Sequence, residues 1–191
     1  MTAWLYRHWA AAALCMGLFL LLLLPALALS WQLPILLIYL QIPVYMLHQV
    51  EEHTNDRFRQ FVNQRVFGGV EALTPEAVLV INIPGVWGVT LLSLYAALLF
   101  GTGWGLTGIY LVLVNGLIHV IGAVAKRAYN PGLWTALALF LPFGGRRALG
   151  GFLRAWCYGH AARGRPRHRH RDSCGDRHPH WYAREKQAAR I

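Results

Sequence analysis

The chain alternates long apolar runs with short polar breaks, and the runs have the length of membrane-crossing helices. Ala10–Ser30, Trp31–His48, Ala77–Phe100 and Trp104–Ala125 each approach or exceed the ~20 consecutive apolar residues that a spanning helix needs. A fifth run, Leu133–Phe143, has only eleven residues before Gly144-Gly145-Arg146-Arg147. That is short for a span: the run either continues weakly through Ala148–Tyr158 or dips in and returns, and the bias of cationic residues to the cytoplasm favours a re-entrant or interfacial element. The expected fold is therefore all-α: a polytopic transmembrane helix bundle with four spans plus a short fifth hydrophobic element. Pro34 falls in the first turn of the second run, where proline is tolerated, whereas Pro43 should kink that helix. Asn82, Pro84 and Gly85 should break the third run near its start. Between the second and third runs, Phe58, Phe61 and Val62 alternate with Arg57, Arg59 and Arg65 in the way of a helix lying along a membrane surface. The first run also has the parts of a signal peptide, namely Arg7, the Leu18–Leu24 core and Ala26-Leu27-Ala28. An uncleaved anchor is expected, because more apolar sequence follows at once.

Composition agrees with lipid as the solvent. Charged residues make up 14 % of the chain, against about a quarter in soluble domains, and mean hydropathy is +0.38. The charge is unevenly divided. Residues 1–145 hold six Lys/Arg against five Asp/Glu, and residues 146–191 hold twelve against three. This suggests two regions: a transmembrane helical domain over 1–145 and a basic, His/Arg-rich tail over 146–191, expected to be disordered. The tail, with Arg167-His168-Arg169-His170-Arg171, can attract anionic lipid headgroups. No nucleic-acid motif accompanies its charge, so no nucleic-acid partner is expected. His160, His168, His170, His178 and His180 are read as a solvated basic run. The three cysteines, Cys15, Cys157 and Cys174, form no CxxC pair and no disulfide framework.

If four helices alternate, Arg7, the Arg57–Arg65 loop and Lys126-Arg127 share one side of the membrane. The bias of cationic residues makes that side the cytoplasm, in an inner or plasma membrane crossed several times, with the N-terminus inside.

Three polar clusters fall at this same level. In His48-Gln49-Val50-Glu51-Glu52-His53, His48, Glu51 and Glu52 stand at i, i+3 and i+4 on one helix face. Asn115 and His119 stand at i and i+4 in the fourth run. Tyr129-Asn130-Pro131-Gly132 reads as a type II turn just beyond it, and Asn82 belongs to the same level. Ionisable groups within a membrane are costly, and function is their default explanation. Two imidazoles and two carboxylates, His48, Glu51, Glu52 and His119, are a ligand set for a divalent metal, zinc or a first-row transition ion. In that reading the glutamate left free is a general base, Tyr129 donates a hydrogen bond to an oxyanion, and Asn115 orients His119's partner or polarises a carbonyl. Asn130 and Asn82 complete the polar site.

The competing reading is structural. Glu51 and Glu52 then pair with Arg57, Arg59 or tail arginines where the chain leaves the membrane. Asn115 and His119 act as interhelical glue worth about 1 kcal/mol each, and His53 faces solvent.

His48-Gln49-Val50-Glu51-Glu52, the NxxxH spacing of Asn115 and His119, and Tyr129-Asn130-Pro131-Gly132, in that order, resemble the HXXEE-domain family of bacterial membrane proteins. The resemblance covers roughly residues 30–145. It implies a multi-helix membrane domain with these residues in one site, and it supplies no substrate. A looser likeness to the CAAX-protease family is one of chemistry only. Arg57 comes one residue late for that family's EExxxR, and Asn115–His119 reverses its HxxxN.

Two function classes remain: a metal-dependent, hydrolase-like membrane enzyme with its site at the cytoplasmic interface, and a non-catalytic structural or transport-associated protein. Transport is disfavoured because the chain shows no internal repeat and no polar path through the outer halves of its spans.

Overall fold

In a bilayer core every backbone N–H and C=O must be satisfied within the chain, and a long apolar run does this by forming a helix. The computed structural model describes residues 2–145, which are helical with no strand among them. The basic tail from Arg146 onward, with Cys157, Cys174 and its histidines, lies outside the described residues. Four helical stretches are long and apolar enough to cross a membrane: Tyr6–Leu27, Leu33–Val66, Pro75–Phe100 and Thr102–Lys126. The shorter apolar helix is Leu133–Gly145. The chain is thus a helical membrane protein with four candidate spans and one short element.

The first span lies within α1 (Thr2–Leu27), and the second comprises α2 (Leu33–Tyr39) and α3 (Gln41–His53). Pro34 starts α2, and the division between α2 and α3 falls at Leu40. Pro43 lacks the N–H that would bond Tyr39 C=O, so the interruption sits where the proline predicts it. Asn55 and Asp56 then adopt left-handed φ of 57° and 59° and turn the chain into α4 (Arg57–Phe61). There Arg59 bonds Asp56, and its Nη1 also lies 2.8 Å from Glu71. Arg57 Nε donates to Thr54 C=O. Both arginines expected to meet the glutamates of the motif are therefore engaged elsewhere.

The third span runs through α5 (Pro75–Val80), a π-helical segment Ile81–Trp87 and α6 (Gly88–Phe100). Thr74 caps it, its Oγ1 accepting from Ala77 N at 3.2 Å, with Pro75 and Glu76 in the first turn. The break expected at Asn82-Ile83-Pro84-Gly85 is instead this widened turn. Pro84 cannot donate to Val80, and a π segment accommodates the lost bond without ending the helix. The fourth span ends with α7 (Leu106–Lys126), closed by Arg127 at φ 48°. The short element α8 (Leu133–Gly145) runs back along α7: Phe140 meets Gly116, and Gly144 meets Leu113. Within the described residues it reaches the level of Leu113 on α7.

α3 is the central element, packed against α1, α2, α6, α7 and α8. More than half of its span, 56 %, is buried, against 17–33 % for the other three. Its apolar side joins Ile38, Ile42 and Met46 to Ala13, Leu94, Ala97 and Ile109. A second cluster, Val44, Tyr45, Val86, Val112 and Phe140, lies towards α7 and α8. One polar network ties α3 to the third span: Gln49 Nε2 donates to Asn82 Oδ1 (2.9 Å), Trp87 Nε1 donates to Gln49 Oε1 (2.7 Å), and Asn82 Nδ2 donates to Val78 C=O (2.8 Å).

This network separates Asn82 from the histidine–glutamate cluster and assigns it a packing role. Asn82→Ala leaves the buried Gln49 amide one acceptor short. It should lower stability by about 1 kcal/mol, read as a reduced thermal midpoint in detergent, with any metal content unchanged.

Candidate metal centre

Helical rotation of about 100° per residue decides which side chains of the motif meet. His48 and Glu52 lie within about 40° of each other on α3, while Glu51 is turned by about 100° from Glu52. His48 and Glu52 accordingly face α7, where His119 meets them. Glu52 Oε2 is 3.4 Å from His48 Nε2, and Glu52 Oε1 is 3.5 Å from His119 Nε2. The two imidazoles stand edge to face, with ring centroids 4.8 Å apart. One ligand atom from each of His48, Glu52 and His119 falls within 4.8 Å of the other two, so this buried group can hold a metal ion. All three are nearly inaccessible, at 0 %, 5 % and 1 % exposure.

A third imidazole reaches the same carboxylate. His53 Nε2 lies 3.1 Å from Glu52 Oε2. His53 is buried, which corrects the expectation that it faces solvent. The indole of Trp9, from α1, packs over it at 4.7 Å, and Phe58 closes another side at 5.7 Å. The sequence hinted at this only through an aromatic residue at the start of the first helix, whose packing partner depends on the fold. Among the described residues no lysine or arginine is paired with Glu52. His119 Nδ1 has no hydrogen-bond partner, and the Nε2 atoms of His53 and His119 have only the Glu52 carboxylate, at 3.1 and 3.5 Å. Buried donors and acceptors are nearly always satisfied, so imidazoles gathered on one carboxylate, one of them with an unbonded nitrogen, fit a bound cation.

Glu51 turns to α8. Its Oε1 accepts from Tyr129 Oη (2.7 Å) and Trp134 N (3.1 Å), and its Oε2 accepts from Thr135 N (2.7 Å) and Thr135 Oγ1 (2.6 Å). A carboxylate here satisfies amides at the start of α8 and complements its dipole. Thr135, which no sequence motif singled out, also places Oγ1 2.7 Å from His48 Nδ1. Asn115 Nδ2 lies 3.3 Å from His48 Nε2, and Asn130 Nδ2 donates to His119 C=O at 3.4 Å. His48, Glu51, Glu52, Asn115, His119, Tyr129 and Asn130 thus share one neighbourhood, and Asn82 lies outside it.

The turn before α8 forms as its residues predict. Leu133 N donates to Asn130 C=O at 2.9 Å, and Gly132 takes φ +97°, the third position of a type II turn. Gly132 has a second constraint. A Cβ there would stand 2.7 Å from His119 Cε1 and 2.8 Å from His48 Cε1. The turn therefore lies directly against both imidazoles.

Residues 39–145 match the model of a family described as proteins of unknown function with an HXXEE motif, and the chain belongs to that family. No curated protein and no solved structure matches it.

Two outcomes follow from this geometry. Gly132→Ala meets both a disfavoured φ and the two rings, and should cost at least about 2 kcal/mol while displacing any ion held by His48 and His119. Denaturant unfolding and metal analysis of the same preparation read both effects. The phenol of Tyr129 is pushed up to about 12, first by partial burial and then by its bond to the Glu51 carboxylate. Selective labelling of tyrosine and an NMR titration should find it ionising above an ordinary phenol, and moving down in Glu51→Gln.

Proposed function

We propose that this HXXEE-family protein is a metal-dependent membrane enzyme of hydrolase type, binding zinc or a first-row divalent ion through His48, Glu52 and His119. The observation that carries this reading is the surroundings of Glu52: a buried carboxylate whose oxygens face three imidazole nitrogens at 3.1–3.5 Å. Neutral histidines can each donate one N–H to Glu52, but they leave its charge buried without a positive partner, which is costly in a water-poor site. A divalent ion among the three groups removes that cost. Two histidines and one carboxylate are also the protein ligands of catalytic zinc sites, which keep a coordination position open for a reactant. When bound, such an ion supplies Lewis acidity.

The chain's own residues would then act as follows. His48, Glu52 and His119 bind. His53 steadies the Glu52 carboxylate at Oε2, the oxygen it shares with His48. The rings of Trp9, Phe58 and Phe140 keep water from the ligands. Glu51 accepts four hydrogen bonds, so it serves this centre from the second layer rather than as a ligand. Tyr129, exposed at the edge of the site, donates its one hydrogen to Glu51 Oε1, so it would reach a substrate oxygen only by exchanging that bond. The end of the bundle that carries the site also carries Arg57, Arg59, Arg65, Lys126 and Arg127. We assign it to the cytoplasmic face of the inner membrane on the cationic bias of such loops. In the same reading the basic tail meets anionic headgroups.

Metal content decides between this reading and a cluster held by protonated histidine alone. The full chain, purified in detergent without added metal or metal-affinity resin, should retain close to one more ion per chain than either His48→Ala or His119→Ala. The tail histidines are common to all three proteins and cancel. Equal metal in folded wild type and both variants would return the cluster to an ion-pair role.

A further inference from the structure

Glu51 and Glu52 are adjacent and chemically identical, yet only Glu52 enters the cluster of histidines. The environment of Glu51 shows what it does instead. Four donors converge on its two oxygens, two of them backbone amides that can only donate. A carboxyl group surrounded in this way is an acceptor at every lone pair, so it is ionised and carries no proton to give. The Thr135 hydroxyl has two acceptors for its single hydrogen, Glu51 Oε2 at 2.6 Å and Gly132 C=O at 3.2 Å, and the shorter, charged one takes it. The hydroxyl then has no hydrogen for His48 Nδ1, at 2.7 Å, and that contact is a hydrogen bond only if Nδ1 carries the hydrogen and donates it to Thr135 Oγ1.

We propose that Thr135 is the positioning residue of this centre, relaying the charge of Glu51 to His48 so that Nδ1 is protonated and Nε2 keeps its lone pair for a cation held with Glu52 and His119. The chain His48 Nδ1–H to Thr135 Oγ1–H to Glu51 is a carboxylate–histidine arrangement lengthened by one hydroxyl. Outer-layer bonds of this kind fix the tautomer and raise the basicity of a ligating imidazole. Asn115 agrees with the assignment: its Nδ2, 3.3 Å from His48 Nε2, is a donor facing a lone pair. So does the backbone. Thr135 is a residue of the α8 N-terminus, and the amides of Trp134 and Thr135 hold Glu51 while the hydroxyl of Thr135 faces His48. Docking α8 on α3 and setting the tautomer of His48 are thus one set of bonds. The consequence for the metal rests on the function proposed above, whereas the tautomer requires no metal.

The test uses the full chain, labelled with ¹⁵N-histidine and stripped with a chelator, with His48 assigned by difference against His48→Gln. Wild type and Thr135→Ser should show His48 protonated at Nδ1, and Thr135→Val should lose that preference. Titration with Co²⁺ should give Thr135→Val about 10–100-fold weaker binding, with Thr135→Ser close to wild type. A merely structural threonine would lower stability in both variants without moving the tautomer. His48 protonated at Nε2 in wild type would overturn the proposal. So would a Thr135→Val protein that binds Co²⁺ as wild type does. If wild type binds no Co²⁺, the metal reading fails, and the ¹⁵N spectrum of the wild type alone decides the relay.

Discussion

A carboxylate that water cannot reach has to be matched by positive charge, and the architecture of this protein is arranged around how Glu52 meets that demand. Arginine and lysine are near enough in sequence to serve, yet Arg59 is bound to Asp56 and Glu71. Glu52 has histidines from two helices instead. The choice matters chemically. A guanidinium brings a permanent charge and closes the question, whereas imidazoles bring lone pairs that can share the carboxylate's cation. The cluster therefore could hold a cation, and among the described residues no guanidinium or ammonium closes it.

That requirement propagates into the packing. For His119 to reach α3, α7 has to lie beside it at this depth. For both imidazoles to keep their places, something has to back them from the open side. The turn at Gly132 and the start of α8 do so, with no Cβ to interfere and with Phe140 4.2 Å from the His48 ring. Within the described residues α8 is shorter than a span, and its first turn is where Glu51 gathers its amides. It is anchored at the site.

How far such an arrangement can be read from sequence depends on whether its signal is local. The four spans and the short element were legible because lipid imposes length and hydropathy directly on consecutive residues. The pairing of His48 with Glu52 followed from helical period, and the turn at Asn130–Leu133 followed from the backbone preferences of proline and glycine. The π segment was misread as a break, since proline reports a missing bond but not how a helix absorbs it. His53 was misread because its burial comes from Trp9, more than forty positions away. Thr135 gave no signal at all. Threonine is unremarkable after a Gly-Leu-Trp turn, and its importance exists only once α8 lies against α3.

The spelling of the motif has a geometric reason. On a helix, positions i and i+4 look the same way, so the histidine and the second glutamate form one centre with α7. Position i+3 is turned by about 100° from i+4, far enough to miss α7 and meet the beginning of α8. The two glutamates could not exchange duties: Glu51 has amides and hydroxyls to bond and no imidazole nitrogen paired with it, and Glu52 has imidazoles and no amide. One is an anion spent on amides and hydroxyls, and the other an anion that meets only imidazoles. The first holds the wall of the site and orients His48 through Thr135, while the second leaves its charge to whatever cation the site receives. A repeated residue in a short motif thus encodes two different functions, separated by a single helical step.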